Sequence, residues 1–270
     1  RLLLAETPEE ATTLTSDIER CNRARQDATR QMMVEAEVRW SARDTSSPVI
    51  AVWDRDWSPA LAGLVAGRFA EKYGKPVIVV GHHAGTWIGS GRSVPAYDIT
   101  EAVRSSGEGV LTRVGGHAQA CGFSLPHEEL LSGLAERLAA HARAHEGLAA
   151  YRPALDIEQE ISLSQLDPAF VEEVERLAPF GEGNRRPLFV SRACPVVTAD
   201  LIGSQKNHLR VQVMAPSGRR VKLLGFKQGD RLSEIPAGQT VDVVYTVCIN
   251  EWNGRREAEG RMVDFAPSVR

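Results

Sequence analysis

Residues able to do chemistry on a phosphate gather in two glycine-marked stretches. The first is Arg113-Val114-Gly115-Gly116-His117-Ala118-Gln119-Ala120-Cys121-Gly122-Phe123-Ser124-Leu125. Adjacent glycines carry no Cβ, so their backbone N–H groups can approach a bulky anion closely. His117 adds a ring N–H beside them. Ala118 to Cys121 can open a short helix whose N-terminus favours negative charge, and Gly122 to Leu125 reads as a strand leaving the site. The second stretch is Gly89-Ser90-Gly91-Arg92-Ser93, with glycines for close approach, two hydroxyl donors and a guanidinium that can fork onto a phosphate. Short motifs match by chance. From Gly-Gly-His alone a glycine turn with a satisfied histidine is the simpler reading, and the second stretch alone fits a polar turn equally well.

Other chemical residue types point nowhere as clearly. His141 and His145 stand one helical turn apart, a spacing that could hold a metal. No third ligand is evident and no Glu follows His141 as a zinc-protease pattern would need, so a solvated helix face accounts for them. Cys21, Cys121, Cys194 and Cys248 are scattered without a Cys-x-x-Cys pair, which reads as reduced thiols and not as a structural zinc site.

The elements that must position these groups follow from periodicity. Thr7-Pro8-Glu9-Glu10 is a capping-box start. Leu14, Ile18, Cys21, Ala28, Met32 and Ala36 then share one helical face, giving a helix of about 30 residues that ends before Ser41 to Pro48. Its polar face carries Arg20, Arg23, Arg25 and Arg30. Val49 to Trp53 is a strand, Asp54 to Pro59 a loop, and the run from Leu61 to Phe69 a helix stopped by Gly74 and Pro76. Val77 to Val80 and Thr86 to Ser90 are strands flanking a turn at Gly81 to Gly85. The strand–helix–strand order implies a βαβ unit with a parallel pair. Tyr97 to Ser106 and His127 to Glu146 read as helices, Leu155 to Leu163 as a strand with one wet face, and Asp167-Pro168 as the cap of a helix to Leu177.

The turn-rich run Pro179 to Pro187 marks a domain boundary. Beyond it about five strand-like runs in about 80 residues suggest a small closed barrel, most simply an OB-fold. Basic and aromatic groups interleave there. Lys206, His208, Arg210 and Lys222 join Phe226, Trp252, Arg255 and Arg256 in a pattern suited to stacking and backbone attraction on single-stranded nucleic acid. The expected fold class is therefore α/β plus all-β.

Composition sets the outer limits. A chain of 270 residues has material for one large or two medium domains. No apolar run reaches a membrane span and no secretory leader opens it. The formal net charge of −3 hides an asymmetry: residues 187–270 carry 12 Lys and Arg against 8 Asp and Glu, leaving 20 against 27 in residues 1–186. A basic tail on an acidic body fits a nucleic-acid-facing module. The start at Arg1, followed at once by Leu2-Leu3-Leu4, suggests a piece of a longer protein.

Jointly the motifs are far more specific than singly. Asn22-x-x-Arg25-Gln26, Trp57 with the Leu-x-Gly-Leu-Val-Ala-Gly-Arg helix after it, Gly89-Ser90-x-Arg92-Ser93, Gly115-Gly116-His117-Ala118 and Pro179-Phe180-Gly181-x-Gly183-Asn184 occur in that order. Over nearly all its length the chain resembles the RecJ family of bacterial single-stranded-DNA-specific exonucleases, within the DHH phosphoesterase superfamily. The resemblance implies a connecting helix over 1–43, a mixed-sheet α/β DHH-associated domain over 44–152, a linking strand and helix over 153–186, and an OB-fold domain over 187–270. It also implies 5′→3′ hydrolysis of single-stranded DNA with Mn2+ or Mg2+ held by an N-terminal domain bearing an Asp-His-His triplet. That domain is missing from this sequence. His82-His83 follows Gly81, not Asp, and is a coincidence. Two departures stand out. Ser58 replaces the His that commonly follows the tryptophan at Trp57, and Gly91 replaces the family's Ala.

The resulting expectation is a substrate-gripping segment. Ser90, Arg92 and Ser93, with Gly115, Gly116 and His117, hold backbone phosphates, and His117 stabilises developing charge. Arg25, Trp57, Lys206, Arg210, Lys222, Trp252 and Arg255 are further nucleic-acid contacts. No residue set holds two metals, so no catalytic residue is assigned and the segment alone is expected to be inactive. The expected partner is single-stranded DNA, with a helicase or single-strand-binding protein also possible, in the cytoplasm and away from membranes. Two rivals remain: a stand-alone single-strand-binding module, and another DHH-type phosphoesterase acting on short oligonucleotides.

Overall fold

The computed structural model describes residues 1–252 and 254–268, with the side chains of Trp252 and Arg255 outside the description. The chain divides into two compact units, Arg1–Pro153 and Ala154–Arg270.

The first unit opens with α1 (Pro8–Ser41), capped by the Thr7 hydroxyl oxygen, which accepts from the Glu10 N–H at 3.2 Å. Its buried residues are Thr29, Met32, Ala36 and Trp40, all in its second half. Then follow β1 (Ile50–Trp53), α2 (Pro59–Tyr73), β2 (Val77–His83), β3 (Thr86–Arg92), α3 (Ile99–Ser106), β4 (Arg113–His117), β5 (Ala120–Leu125), α4 (Glu129–Arg143) and α5 (Glu146–Ala150). The sheet order is β1-β2-β3-β5-β4. β1 and β2 are parallel, as the strand–helix–strand order requires, and the other pairs are antiparallel.

Alternation along the strands gives the sheet two apolar faces. Ile50, Val52, Val77 and Val79 pack with Ala62, Val65 and Phe69 of α2 and with Met32 and Trp40 of α1. Ile78 and Val80 face the opposite way, with Phe123, Leu125, Ile99, Leu134 and Leu138. The α1–α2 layer ends over β3, so β5 and the edge strand β4 keep one face bare: Gly115, His117 and Gly122 are exposed.

Two local expectations are corrected. Ala118 to Cys121 starts no helix. Ala118 and Gln119 form a two-residue hairpin turn between β4 and β5, because Cys121, Phe123 and Leu125 alternate into the core as a strand. The Gly89–Ser93 stretch is likewise strand up to Arg92 and not a polar turn, so the strand read over Thr86 to Ser90 runs two residues further.

The second unit contains β6 (Gln159–Glu160), α6 (Pro168–Glu175), β7 (Phe189–Ile202), β8 (His208–Met214), β9 (Arg220–Gly225), β10 (Thr240–Trp252) and β11 (Arg255–Pro267). The expected fold class is corrected here. The strands form a six-stranded sheet in the order β10-β11-β9-β8-β7-β6, with an additional pairing of β10 to β7, and not the simple five-stranded closed barrel expected of residues 187–270. β6 comes from outside that range and lies parallel to the start of β7. β11 meets β9 through two register pairs only, Gly260–Leu223 and Arg261–Leu224. The cause lies in β7, a strand of 14 residues. It pairs with β10 through Phe189 to Pro195, with an irregularity at Ala193 (φ +51°), and with β8 through Val196 to Ile202. Ile161, Leu163, Val171 and Val174 fill the core beside Val211, Leu223, Val243 and Tyr245.

Candidate nucleic-acid interface

The bare sheet face of the first unit brings the two glycine-marked stretches together. In register, Arg92 of β3 sits opposite Ala120 of β5, and Ala120 sits opposite His117 of β4. One row further along, Ser90 faces Gly122 and Gly122 faces Gly115. Directly opposed residues share a face, as do residues two apart on a strand. Ser90, Arg92, Gly115, Ala120, Gly122 and His117 therefore all belong to one face. Two strand spacings set β3 and β4 about 10 Å apart.

The floor between them is empty. A Cβ added at Gly115 or Gly122 meets nothing within 4 Å. On one side the wall is α2, which comes so close at Gly63 that a Cβ there would lie 3.0 Å from Arg92 Nη2 and 3.6 Å from Ser90 Oγ. The far side is the edge strand. The result is a shallow trough, floored by peptide planes, with a guanidinium on one flank and an imidazole on the other. Gly116 points its absent side chain to the opposite face. At φ +150° a Cβ there would lie 2.2 Å from the Ala120 carbonyl oxygen, so the glycine lets β4 close on β5.

The turns around the trough are tied to one another. The Ser93 N–H donates to the Gln119 carbonyl at 3.1 Å, the Ile99 N–H to Ala118 at 2.9 Å, and the Thr100 hydroxyl to His117 at 2.6 Å. The Ser93 hydroxyl donates to the Tyr97 carbonyl at 2.6 Å, so this predicted phosphate donor holds its own loop. Arg92 Nη1 donates to the Gly91 carbonyl at 2.8 Å, leaving further guanidinium donors. Behind the floor, burial pushes the Cys121 thiol up to about 11, which keeps it protonated and inert. Arg113 stands two residues before Gly115 on the same strand face, and sequence reading passed over it. Strand period alone would have found it.

The remaining predicted residues lie elsewhere. Arg25 is exposed on α1 and donates to Asn22 Oδ1 at 2.8 Å. Trp57 is 3% exposed in the α1–α2 core, and its indole N–H donates to Glu35 at 2.7 Å, leaving no ring face for a base. In the second unit a groove of about 520 Å³ is lined by Arg210, Gln212, Arg219, Arg220, Lys222 and Arg256. Much of its charge is engaged. Arg210 pairs with Asp200 at 3.4 Å, Lys222 with the buried Glu259 at 2.9 Å, and Arg256 with Glu172 at 3.0 Å. Arg219 is spent on the Leu163 and Leu166 carbonyls. Lys206 is exposed in the β7–β8 loop at φ +50°. Trp252 and Arg255 pair across the β10–β11 hairpin, and their side chains lie outside the described residues.

Hydroxyls, guanidinia and an imidazole suit an anion and not a divalent cation, which takes carboxylate and carbonyl oxygens. Among the described residues no three His, Cys, Asp or Glu converge to hold a metal. A resident metal does not fit the described residues. No described helix is long and apolar enough to cross a membrane.

Comparison with known proteins matches residues 46–143 to the DHHA1 domain and residues 157–264 to the RecJ OB domain. The single-stranded-DNA-specific exonuclease RecJ of Thermus thermophilus is 31% identical over 267 residues, which cover 98% of this chain and 36% of that protein. RecJ of Bacillus subtilis is 26% identical over 271 residues, covering 99% and 34%. The crystal structure of RecJ in complex with Mg2+ from Thermus thermophilus superposes with a TM-score of 0.77 at 30% identity, over all of this chain and 40% of that one. The chain thus spans about a third of the length of these curated relatives. By its two domains in sequence and by its fold, it belongs to the RecJ family of the DHH superfamily.

Proposed function

We propose that this chain is the strand-gripping part of a RecJ-type exonuclease, which hydrolyses phosphodiester bonds of single-stranded DNA from the 5′ end. The observation that carries this reading is the open floor shared by Arg92 and His117 across three adjacent strands. A backbone phosphate laid on Gly122 and Gly115 meets no side chain from below, the Arg92 fork from one flank and the His117 ring from the other. Contacts of this kind position the backbone and carry no sequence preference. Held there, the scissile phosphate is presented for in-line attack, and His117 offers its N–H to the charge that develops. Mn2+ or Mg2+, held in a part of the family's proteins that this chain does not span, would supply the activated water. Within the second unit, the groove around Arg210 and Lys222 offers a surface to a single strand, and the exposed Phe226, packed edge-on against His208, offers a base a stacking surface. The whole works in the cytoplasm, supplied with single strands by a partner such as a helicase or a single-strand-binding protein.

The test is salt-dependent binding of a 5′-phosphorylated single strand to the parent chain and to Arg92→Ala and His117→Ala. Losing either contact weakens binding, and losing the Arg92 charge makes the log–log salt slope shallower by about 0.7. If both variants bind like the parent at every salt concentration, the trough is not the grip.

A further inference from the structure

Three tryptophans of the first unit each have an arginine over the ring, and all three arginines line one cavity. The Arg43 guanidinium carbon lies 3.9 Å from the Trp53 ring centroid, that of Arg39 5.4 Å from Trp57, and that of Arg55 6.0 Å from Trp87. Arg39, Arg43 and Arg55, with Trp53, Asp54 and Glu128, line a space of about 550 Å³. The chain brings them together simply. Arg39 stands in the last turn of α1, Arg43 follows that helix by two residues, and Arg55 follows β1 by two residues. The cavity lies at the carboxyl end of β1, beside the parallel strand β2, where open α/β sheets present ligands.

The charges there are not balanced. Asp54 is paired with Arg39, and Glu128 stands 4.0 Å from Arg55. Arg43 has no carboxylate within ion-pair distance among the described residues and donates only to the Ala51 carbonyl, at 3.3 Å. Burial, then the neighbouring Arg39 charge, lowers its pKa, as expected of a cation without a counter-ion. A guanidinium over an indole uses its face and keeps its in-plane N–H donors, the geometry that forks onto a phosphate. The place is separate from the trough: the Arg92–Ala120–His117 row continues to Ile50 of β1, three residues from Trp53.

We propose that this cavity is a second phosphate-binding site, with Arg43 and Arg55 as its donors. The phosphate belongs either to a nucleic-acid backbone or to a free anion or mononucleotide. Intrinsic tryptophan fluorescence reads the site, since Trp53 lines it and its other two arginines stand over Trp57 and Trp87. The 270-residue chain is titrated separately with inorganic phosphate and with a single-stranded oligothymidylate. Four proteins are compared: the parent, Arg43→Lys, Arg55→Ala and Arg92→Ala. Arg43→Lys keeps the charge and loses the fork, and Arg55 is exposed enough to remove without unfolding. At least one of the two ligands is expected to shift the fluorescence of Arg92→Ala as well as of the parent, because Arg92 does not line this cavity. In Arg43→Lys and Arg55→Ala the apparent dissociation constant rises by about tenfold. A response to phosphate assigns a free anion, and a response only to the oligonucleotide assigns a strand backbone. The proposal is overturned if neither ligand shifts the signal in Arg92→Ala, or if Arg43→Lys and Arg55→Ala titrate like the parent. Loss of trough binding in Arg92→Ala leaves this outcome readable, so the two sites stand or fall separately.

Discussion

At Gly122 the useful property is an empty direction. Its missing side chain would point into the trough, where a Cβ meets nothing within 4 Å. Gly122→Val should therefore fold, since a branched residue suits a strand, while filling the floor between Arg92 and His117. The expected result is an unfolding midpoint within about 2 °C of the parent and a clear loss of single-strand affinity. Equal affinity would mean that the strand does not cross this floor. Gly116→Ala makes the contrast. Its Cβ would lie against the Ala120 carbonyl, so it should lower stability by at least about 1 kcal/mol. Residue types and spacing made the two glycine stretches legible, but not the role of Gly122, which exists only through its register with Ser90 and Gly115. Ser93 shows the reverse failure. A hydroxyl beside an arginine reads as a ligand donor, yet it closes its own loop onto Tyr97.

Among the elements, α1 is held to the sheet unit by a contact that titrates. Glu35 accepts the Trp57 indole N–H at 2.7 Å, and Gln31 donates to its other oxygen at 2.9 Å. The indole bond first, then Gln31, lowers the Glu35 pKa below its ordinary 4.5. A depressed carboxylate pKa adds stability that is complete above the unfolded value and is lost as pH falls through the folded one. Glu35→Gln should thus cost about 1 kcal/mol at pH 7, with the gap to the parent closing as pH drops below about 4.5. Denaturant melts at pH 7 and pH 3 measure it, and a gap that stays constant between them removes the assignment. The helix itself was plain from its cap and apolar period, and the parallel β1–β2 pair from strand–helix–strand spacing. Trp57 was not: indoles beside a loop read as ligand contacts until α1 is packed over them. The hairpin at Ala118 was missed because a glycine pair before a small-residue run resembles a helix start. The closed barrel expected of residues 187–270 was wrong because β6 and the split partners of β7 join segments far apart in the chain, which spacing alone does not show.

For the whole chain, charge and chemistry set different limits. Residues 187–270 are net positive, with 12 basic against 8 acidic groups, which draws a polyanion toward them. Yet Arg210, Lys222 and Arg256 each already have a carboxylate partner. A paired cation has a protein anion to give up before it can displace a counter-ion from DNA. The salt slope of binding should therefore fall well short of the count of groove cations, with the trough arginine contributing its full share. Grip of this kind lowers no chemical barrier by itself, because positioning aids a reaction only when a nucleophile is present to be aligned. The donors that line the trough are all of the anion-binding type, and among the described residues no His, Cys, Asp and Glu trio can hold the metal that would activate water. The 270-residue chain, incubated with Mn2+ or Mg2+, is therefore expected to bind a 5′-labelled single strand and leave it intact over hours on a denaturing gel. Metal-dependent shortening of that strand, abolished by Arg92→Ala, would place hydrolysis within these residues and refute the division of labour between grip and metal.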